Sequence, residues 1–359
     1  MEDKKFHWKK LTKTVVCGAL AILATAFLII SIWVNHTLNK INRIDQQETL
    51  SSEQIQVILA ETDAPEDKQT EATKSVEPTE ITEPVTIPVT EPIIETEPPT
   101  EESATESDPV SDVVNILLIG QDRRINETRQ RSDAMILCTF NMDTETLTMT
   151  SFLRDTYVTL PKYNGVYYGK NRLNLPYLIG GFEMLNDCLE QNFGVEVDHN
   201  VEVDFSGFKA VIDALGGVDL ELTAGEAQIV EGDLQAGYNH LDGGQALMYA
   251  RIRKLDDDFE RTNRQRNVLM AVIEKTKNLG LGDILRLVDA ALPVITTDME
   301  KSDIISYLTK FYPIWKELKV VTQSVPAEGE FYYDMIDGKS VVIPNMNMVR
   351  QKIAETIGQ

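Results

Sequence analysis

The chain has 359 residues, a formal net charge of −23 and a mean hydropathy of −0.19. That length allows one large domain or two small ones. Residues 1–44 carry a net charge of +5, residues 45–112 carry −17 and the remainder −11, so the foldable part is acidic without a basic tail. This argues against nucleic acid as a partner. Four histidines and three cysteines without ligand spacing argue against a Cys/His zinc site. Cys138 and Cys188 either pair in an oxidising compartment or stand as two buried free thiols.

Residues 1–13 hold five lysines and are expected to stay cytoplasmic. From Thr14 to Val34 no residue is charged, and VVCGALAILATAFLIISIW is apolar almost throughout. Such a run, helical, spans roughly 30 Å, the thickness of a bilayer core, which predicts a transmembrane helix over 14–35. The preceding lysines place the C-terminal part outside the cell, with the protein held in the cell membrane by one span. A cleaved signal peptide is the competing reading, but the run ends on bulky Ile32, Trp33 and Val34 rather than a small-x-small site. Residues 36–110 lose apolar periodicity. The stretch VEPTEITEPVTIPVTEPIIETEPPTEE, rich in Thr, Glu and Pro, predicts a disordered, extended spacer.

Globular patterning starts near residue 111 and continues to 359. VVNILLIG and AMILCTF read as buried strands, and a third lies near LTMTSF. GGFEMLNDCLEQNFG has helical spacing, VEVDHNVEVDF alternates as a strand, SGFKAVIDALGG reads as a helix and VDLEL as a strand. Helices are expected near 265–279, 281–292, 302–314 and 345–357. Mixed strands and helices over this length predict an α/β layered domain.

Eleven of this domain's thirteen arginines fall in four places: Arg123, Arg124, Arg129 and Arg131; Arg154; Arg172; and Arg251, Arg253, Arg261, Arg264 and Arg266. Guanidinium forks bind phosphate oxygens bidentately and keep their charge, so a cluster at strand ends points to a phosphate-bearing ligand. Asp122 follows the first strand and Asp133 opens the second. Carboxylates there either pair with arginines or hold a divalent cation that bridges phosphate oxygens. If the stretch from about 260 is helical, Arg261 and Gln265 share a face. Arg251 and Arg253 share a side only if their segment is extended.

NILLIGQDRR, RSDAMIL and SFLRDTYVTLP resemble the opening motifs of the LytR-CpsA-Psr (LCP) family of cell-wall glycopolymer ligases. The resemblance continues through RLNLPYLIGG, VEVDFSGFKAVIDALGGVDLEL, LQAGYNHLDGGQALMYARIRK and DDFERTNRQR, covering roughly 113–275. It implies an αβα layered domain that takes a polyprenyl-pyrophosphate-linked glycan donor and transfers the glycosyl phosphate to peptidoglycan. Asp122 and Asp133 match the family's Mg2+-associated aspartates, with Mn2+ as an alternative ion. Arg131, Arg154, Arg251, Arg253 and Arg261 match its pyrophosphate-binding arginines, and Gln265 its motif glutamine. Asp155 and Asp258 occupy further acidic motif positions, and Asp133 or Asp155 is a candidate base for the acceptor hydroxyl. The catalytic set so implied is Asp133, Arg154, Asp155, Arg253 and Arg261. Two positions depart from the family: Gln121 stands where Thr or Ser is usual, and Arg172, a further substrate-binding candidate, stands where Lys is common. The final ~80 residues add only compatible helices to this reading. A pyrophosphatase using water as acceptor, or a non-catalytic wall-binding or regulatory module, would carry the same motifs.

Overall fold

The structure is a computed structural model and describes residues 39–40, 42–43, 54–55, 113–122, 129–253, 255 and 258–357. The expected cytoplasmic segment, the transmembrane run over 14–35 and most of the spacer lie outside the described residues. Among the described residues no helix is long and apolar enough to cross a membrane.

A seven-stranded mixed sheet forms the centre, in the order β1-β10-β7-β2-β3-β4-β11. Its strands are β1 (Asn42–Arg43), β2 (Val113–Gln121), β3 (Ser132–Asn141), β4 (Thr146–Phe152), β7 (His199–Asp204), β10 (Ile295–Thr297) and β11 (Lys319–Val325). The apolar runs that predict β2, β3 and β4 are near-continuous because helices cover both faces of the sheet. Leu117, Ile119, Met135 and Leu137 point to one face. There they pack against helix α1 (Leu175–Phe193) and helix α8 (Met346–Ile357). Ile136, Cys138, Leu147 and Met149 point to the other face, against Ile273 of helix α5 (Asp258–Lys277). That side also carries α2 (Phe205–Ala214), α3 (Ala224–Ile229), α4 (Gly243–Ala250) and a hairpin of β8 (Val218–Leu222) with β9 (Gly237–Leu241), sharing a core built on Ile212, Val218, Leu241 and Val268. Helices α6 (Leu281–Ala291) and α7 (Lys301–Phe311) flank β10 in sequence.

The structure extends and corrects several expectations. Helix α1 starts at Leu175, well before the glycine pair, and accommodates Gly181 at φ 61 as an internal irregularity. The strand expected from Val195 begins only at His199, because Asp198 turns its carboxylate back onto the Asn115 amide at 2.6 Å. The C-terminal part contributes more than helices. Strand β11 pairs in parallel with β4, and β12 (Phe331–Ile336) forms a hairpin with β13 (Lys339–Pro344). Its two-residue loop, Asp337 and Gly338, has φ 51 and 75, the primed turn for which an Asp-Gly pair is the sequence signal. Asn42–Arg43 pair with β10 inside the stretch expected as a spacer.

Cys138 and Cys188 are free and buried, on opposite faces of the sheet. The free-thiol alternative therefore holds, and burial pushes both thiols up to about 12, so neither is poised to react.

Candidate active site

Four strand ends meet at one end of the sheet. Strands β2, β7 and β4 all terminate there, carrying Asp122, Asp204 and the Arg154–Asp155 pair, while antiparallel β3 starts there with Asp133. The register explains how Asp133 reaches the site. Gly120 pairs with Ala134 but Gln121 pairs with Ser132, which leaves Asp133 as the extra residue of a β-bulge. A bulge resets the in/out alternation and re-aims side chains. Ser132 therefore turns inward, its hydroxyl 3.2 Å from Met135 Sδ, and Asp133 joins Ala134 on the opposite face. Gly120 fits this close approach, since a Cβ there would sit 3.2 Å from that of Ala134.

That face opens into a cavity of about 380 Å3 between the sheet and helices α2, α4 and α5. Leu118, Ile136, Val201 and Val203 form its floor, and Phe208, Ile212, Leu247, Val268, Leu269 and Val272 its roof. Polar groups gather among its walls: Asp133, Asp204, Arg251, Arg253, Arg261 and Gln265. Asp204 is occupied as the cap of α2, accepting from the Gly207 amide at 2.8 Å. Arg251 follows the last turn of α4, stacks over the Phe205 ring at 4.2 Å and lies 3.6 Å from Asp122 Oδ2. Arg253, two residues on, is exposed at the same cavity. Arg261 and Gln265 both line it from α5, as their spacing predicts, with Arg261 buried at 3% exposure.

Arg154 donates to Asp133 Oδ1 at 2.6 Å and lies 3.4 Å from Asp155 Oδ2. Asp155 also faces Arg172 at 3.6 Å. Arg172 is buried in β6 (Lys170–Arg172), which pairs with β5 (Tyr157–Thr159), and donates to the Ser340 carbonyl at 2.8 Å. The Val342 amide donates to the Asp155 carbonyl, so the β12–β13 hairpin braces the loop that carries Arg154. Arg131 immediately precedes β3 and is half-buried. Arg123 and Arg124 lie outside the described residues.

Not every clustered arginine faces the cavity. Arg264 is buried in an ion pair with Glu226 at 2.7 Å and donates to the Ile252 carbonyl, fixing the backbone between Arg251 and Arg253. Arg266 turns to β11, donating to the Gln323 carbonyl, Ser324 Oγ and Asn263 Oδ1. The unusual Gln121 also has a use. Fully buried, it donates to the Glu202 carboxylate, which takes a second bond from Tyr177 Oη at 2.5 Å. Its side-chain carbonyl oxygen accepts the Gln130 amide at 2.8 Å, tying Gln130 to the end of β2.

Among the described residues no group of three or more His, Cys, Asp or Glu side chains could hold a metal ion. Asp133 and Asp122, the two carboxylates that the resemblance associates with Mg2+, lie against Arg154 at 2.6 Å and Arg251 at 3.6 Å.

An apolar cavity with arginines and carboxylates among its walls suits an amphiphile with an anionic head. The chain belongs to the LytR_cpsA_psr family, whose model matches residues 67–356. It is 32% identical over 247 residues to the polyisoprenyl-teichoic acid–peptidoglycan teichoic acid transferase TagU of Bacillus mycoides (strain KBAB4), covering 66% of this chain and 78% of that protein. TagU of Bacillus anthracis (strain CDC 684 / NRRL 3495) is 35% identical over 208 residues, 54% of this chain and 65% of that protein. Among solved structures, the LytR-CPS2A-psr family protein YwtF (TagT) with bound octaprenyl pyrophosphate lipid aligns with a TM-score of 0.55 at 27% identity, over 71% of this chain and 94% of that one.

Proposed function

We propose that the protein is a phosphotransferase that moves a glycopolymer, of the wall teichoic acid type, from a polyprenyl-pyrophosphate carrier to peptidoglycan. The observation that carries this is the cavity: an apolar floor and roof for a prenyl chain, joined to Arg251, Arg253, Arg261 and Gln265 for its pyrophosphate. Relatives named as teichoic acid transferases, and one solved with octaprenyl pyrophosphate, support the same reading.

Phosphoryl transfer asks the protein for positioning and charge neutralisation rather than covalent chemistry. The guanidinium groups orient the pyrophosphate and offset its charge. An acceptor hydroxyl of peptidoglycan attacks the phosphorus bonded to the glycan. The phosphoanhydride bond breaks, and polyprenyl phosphate leaves with the bridging oxygen. The hydroxyl proton passes to a carboxylate. Asp133 and Asp155 are the candidates: both lie against Arg154, Asp133 also lines the cavity, and Asp155 faces Arg172 as well. Mg2+, or Mn2+ in its place, would be held by Asp122 and Asp133 and would neutralise charge developing on the pyrophosphate oxygens. Residues 14–35 anchor the enzyme in the membrane that carries its donor, with the domain outside the cell.

A short lipid-pyrophosphate disaccharide assayed with and without peptidoglycan tests the reading. Transfer predicts product only with acceptor present. Release of sugar phosphate at the same rate without acceptor would instead establish a pyrophosphatase.

A further inference from the structure

The two strands of the C-terminal hairpin differ sharply in burial. Strand β13 buries Val341 and Val342, whereas β12 turns large side chains outward: Tyr332 is 61% exposed, Tyr333 48% and Met335 64%. Among the described residues β12 pairs only with β13, so its other edge is open. Successive side chains alternate across a strand, so Tyr332 and Asp334 flank that edge on one side and Tyr333 and Met335 on the other. The Phe331 ring meets Tyr333 edge-on at 5.3 Å. Open edges commonly carry lysine, proline or a bulge that discourages pairing. Here the outward groups are two tyrosines, a methionine and a single aspartate. One exposed apolar side chain needs no explanation, but three within four positions form a patch.

Backbone bonds couple this patch to the candidate site. Tyr333 pairs with Val342, whose amide donates to the Asp155 carbonyl at 2.9 Å, and Thr156 bridges to the same Val342. Two strand spacings, about 10 Å, therefore separate the Tyr333 backbone from the loop that carries Arg154. From that loop Arg154 reaches Asp133 at 2.6 Å, in the cavity wall. The bond from Arg172 to the Ser340 carbonyl is a second tie between the hairpin and the same loop region. The aromatic edge thus shares one brace with the charged groups of the site, yet it lies outside the cavity.

We propose that the open edge of β12 seats the acceptor, by binding a glycan strand of peptidoglycan. The inference rests on the transferase reading of the cavity. That reaction joins two substrates and the cavity takes the donor, so the acceptor hydroxyl comes to Asp133 and Arg154 from outside. Sugar rings present C–H groups on their faces and hydroxyl or N-acetyl groups around their rims. Aromatic rings cover the faces, while tyrosine hydroxyls and the Asp334 carboxylate bond the rims. Charge selects among occupants. Glu328, Asp334 and Asp337 are exposed, and Lys339, the one basic residue between 328 and 340, is buried. Such an arm repels an anionic lipid surface and accepts an uncharged sugar chain.

The test gives the full chain, in detergent, a short lipid-pyrophosphate disaccharide and peptide-free glycan strands. Tyr332→Ala with Tyr333→Ala is expected to raise the KM for the strands by about tenfold. Meanwhile kcat and the KM for the donor stay within about twofold, as expected when binding common to ground and transition states is lost. Calorimetric binding of the strands without donor should weaken by the same factor. Tyr332→Phe with Tyr333→Phe keeps both rings and should restore most of that affinity. An unchanged acceptor KM in an alanine variant that melts like the parent overturns the proposal. If the double variant melts lower, Tyr332→Ala alone, at the more exposed position, decides by the same criterion. Weaker flotation with phosphatidylglycerol vesicles at an unchanged acceptor KM would assign the edge to lipid and overturn the proposal too. Release of sugar phosphate at equal rates with and without strands overturns the transferase reading itself, and the acceptor seat with it.

Discussion

Arg253→Ala is expected to lower the rate of glycopolymer transfer by on the order of 10²–10³, the usual loss when one positioned charge donor is removed from a transition state. Arg253 is exposed at the cavity and follows the α4 end by only a few residues, so truncating it removes a charge without opening the core. The variant should unfold at the same temperature as the parent protein and still take up a prenyl chain, since the apolar walls are untouched. Full complementation of a deletion strain by Arg253→Ala would contradict a role in transfer. Arg261 is less clean as a test, because at 3% exposure its loss also affects packing.

A second large effect concerns stability. Glu226→Ala leaves the Arg264 guanidinium buried without its carboxylate, a change that costs about 3–5 kcal/mol. For a domain of this size each kcal/mol moves the midpoint by roughly 2–4 °C, so a fall on the order of 10 °C is expected in a melting curve. Pairing Glu226→Ala with Arg264→Met should restore most of that loss, because the pair is then replaced by apolar volume. Burial alone would raise the Glu226 carboxyl, but the hydrogen bond from Arg264 and those from Thr223 outweigh it, and the group titrates below its usual 4.5. A carboxyl lowered on folding stabilises fully above its unfolded value and loses that contribution as the pH falls through the folded one. The parent protein should therefore lose stability below about pH 4.5 more steeply than the doubly substituted variant. Activity should fall with Glu226→Ala as well, because Arg264 holds the Ile252 carbonyl between Arg251 and Arg253.

The parts legible in the sequence are those written in local pattern. Runs such as VVNILLIG announce strands buried on both faces, and Arg261 and Gln265 announce a shared helical face, as observed. Motif order identified the family, and of the residues that the resemblance implied the structure brings Asp133, Arg251, Arg253, Arg261 and Gln265 to one cavity. The cavity itself was invisible, because Leu118, Ile136, Val203 and Val268 come from separate elements and each reads singly as ordinary core. The bulge that aims Asp133 depends on cross-strand register, which no single strand encodes. Composition grouped Arg264 and Arg266 with the phosphate arginines, whereas Glu226 and β11 claim them through contacts far apart in sequence. The β12–β13 hairpin was the avoidable omission, since Asp337–Gly338 between β-prone runs is its signal.

Seen from the site outward, each layer of the fold has a mechanical part. The bulge presents Asp133, the buried Gln121–Glu202–Tyr177 set holds the end of β2 next to Asp122, and the C-terminal hairpin braces Asp155. The helices on the opposite side of the cavity supply both apolar wall and cationic groups, so a ligand that meets both carries an anionic group and an apolar part.

The most direct measurement is a crystal structure of residues 39–359 with a polyprenyl pyrophosphate bound. The expected result is a prenyl chain running between Leu118, Ile136 and Val268, with its phosphates within ion-pairing distance of Arg253 and Arg261. A prenyl chain bound elsewhere, with this cavity empty and the arginines unengaged, would contradict the assignment.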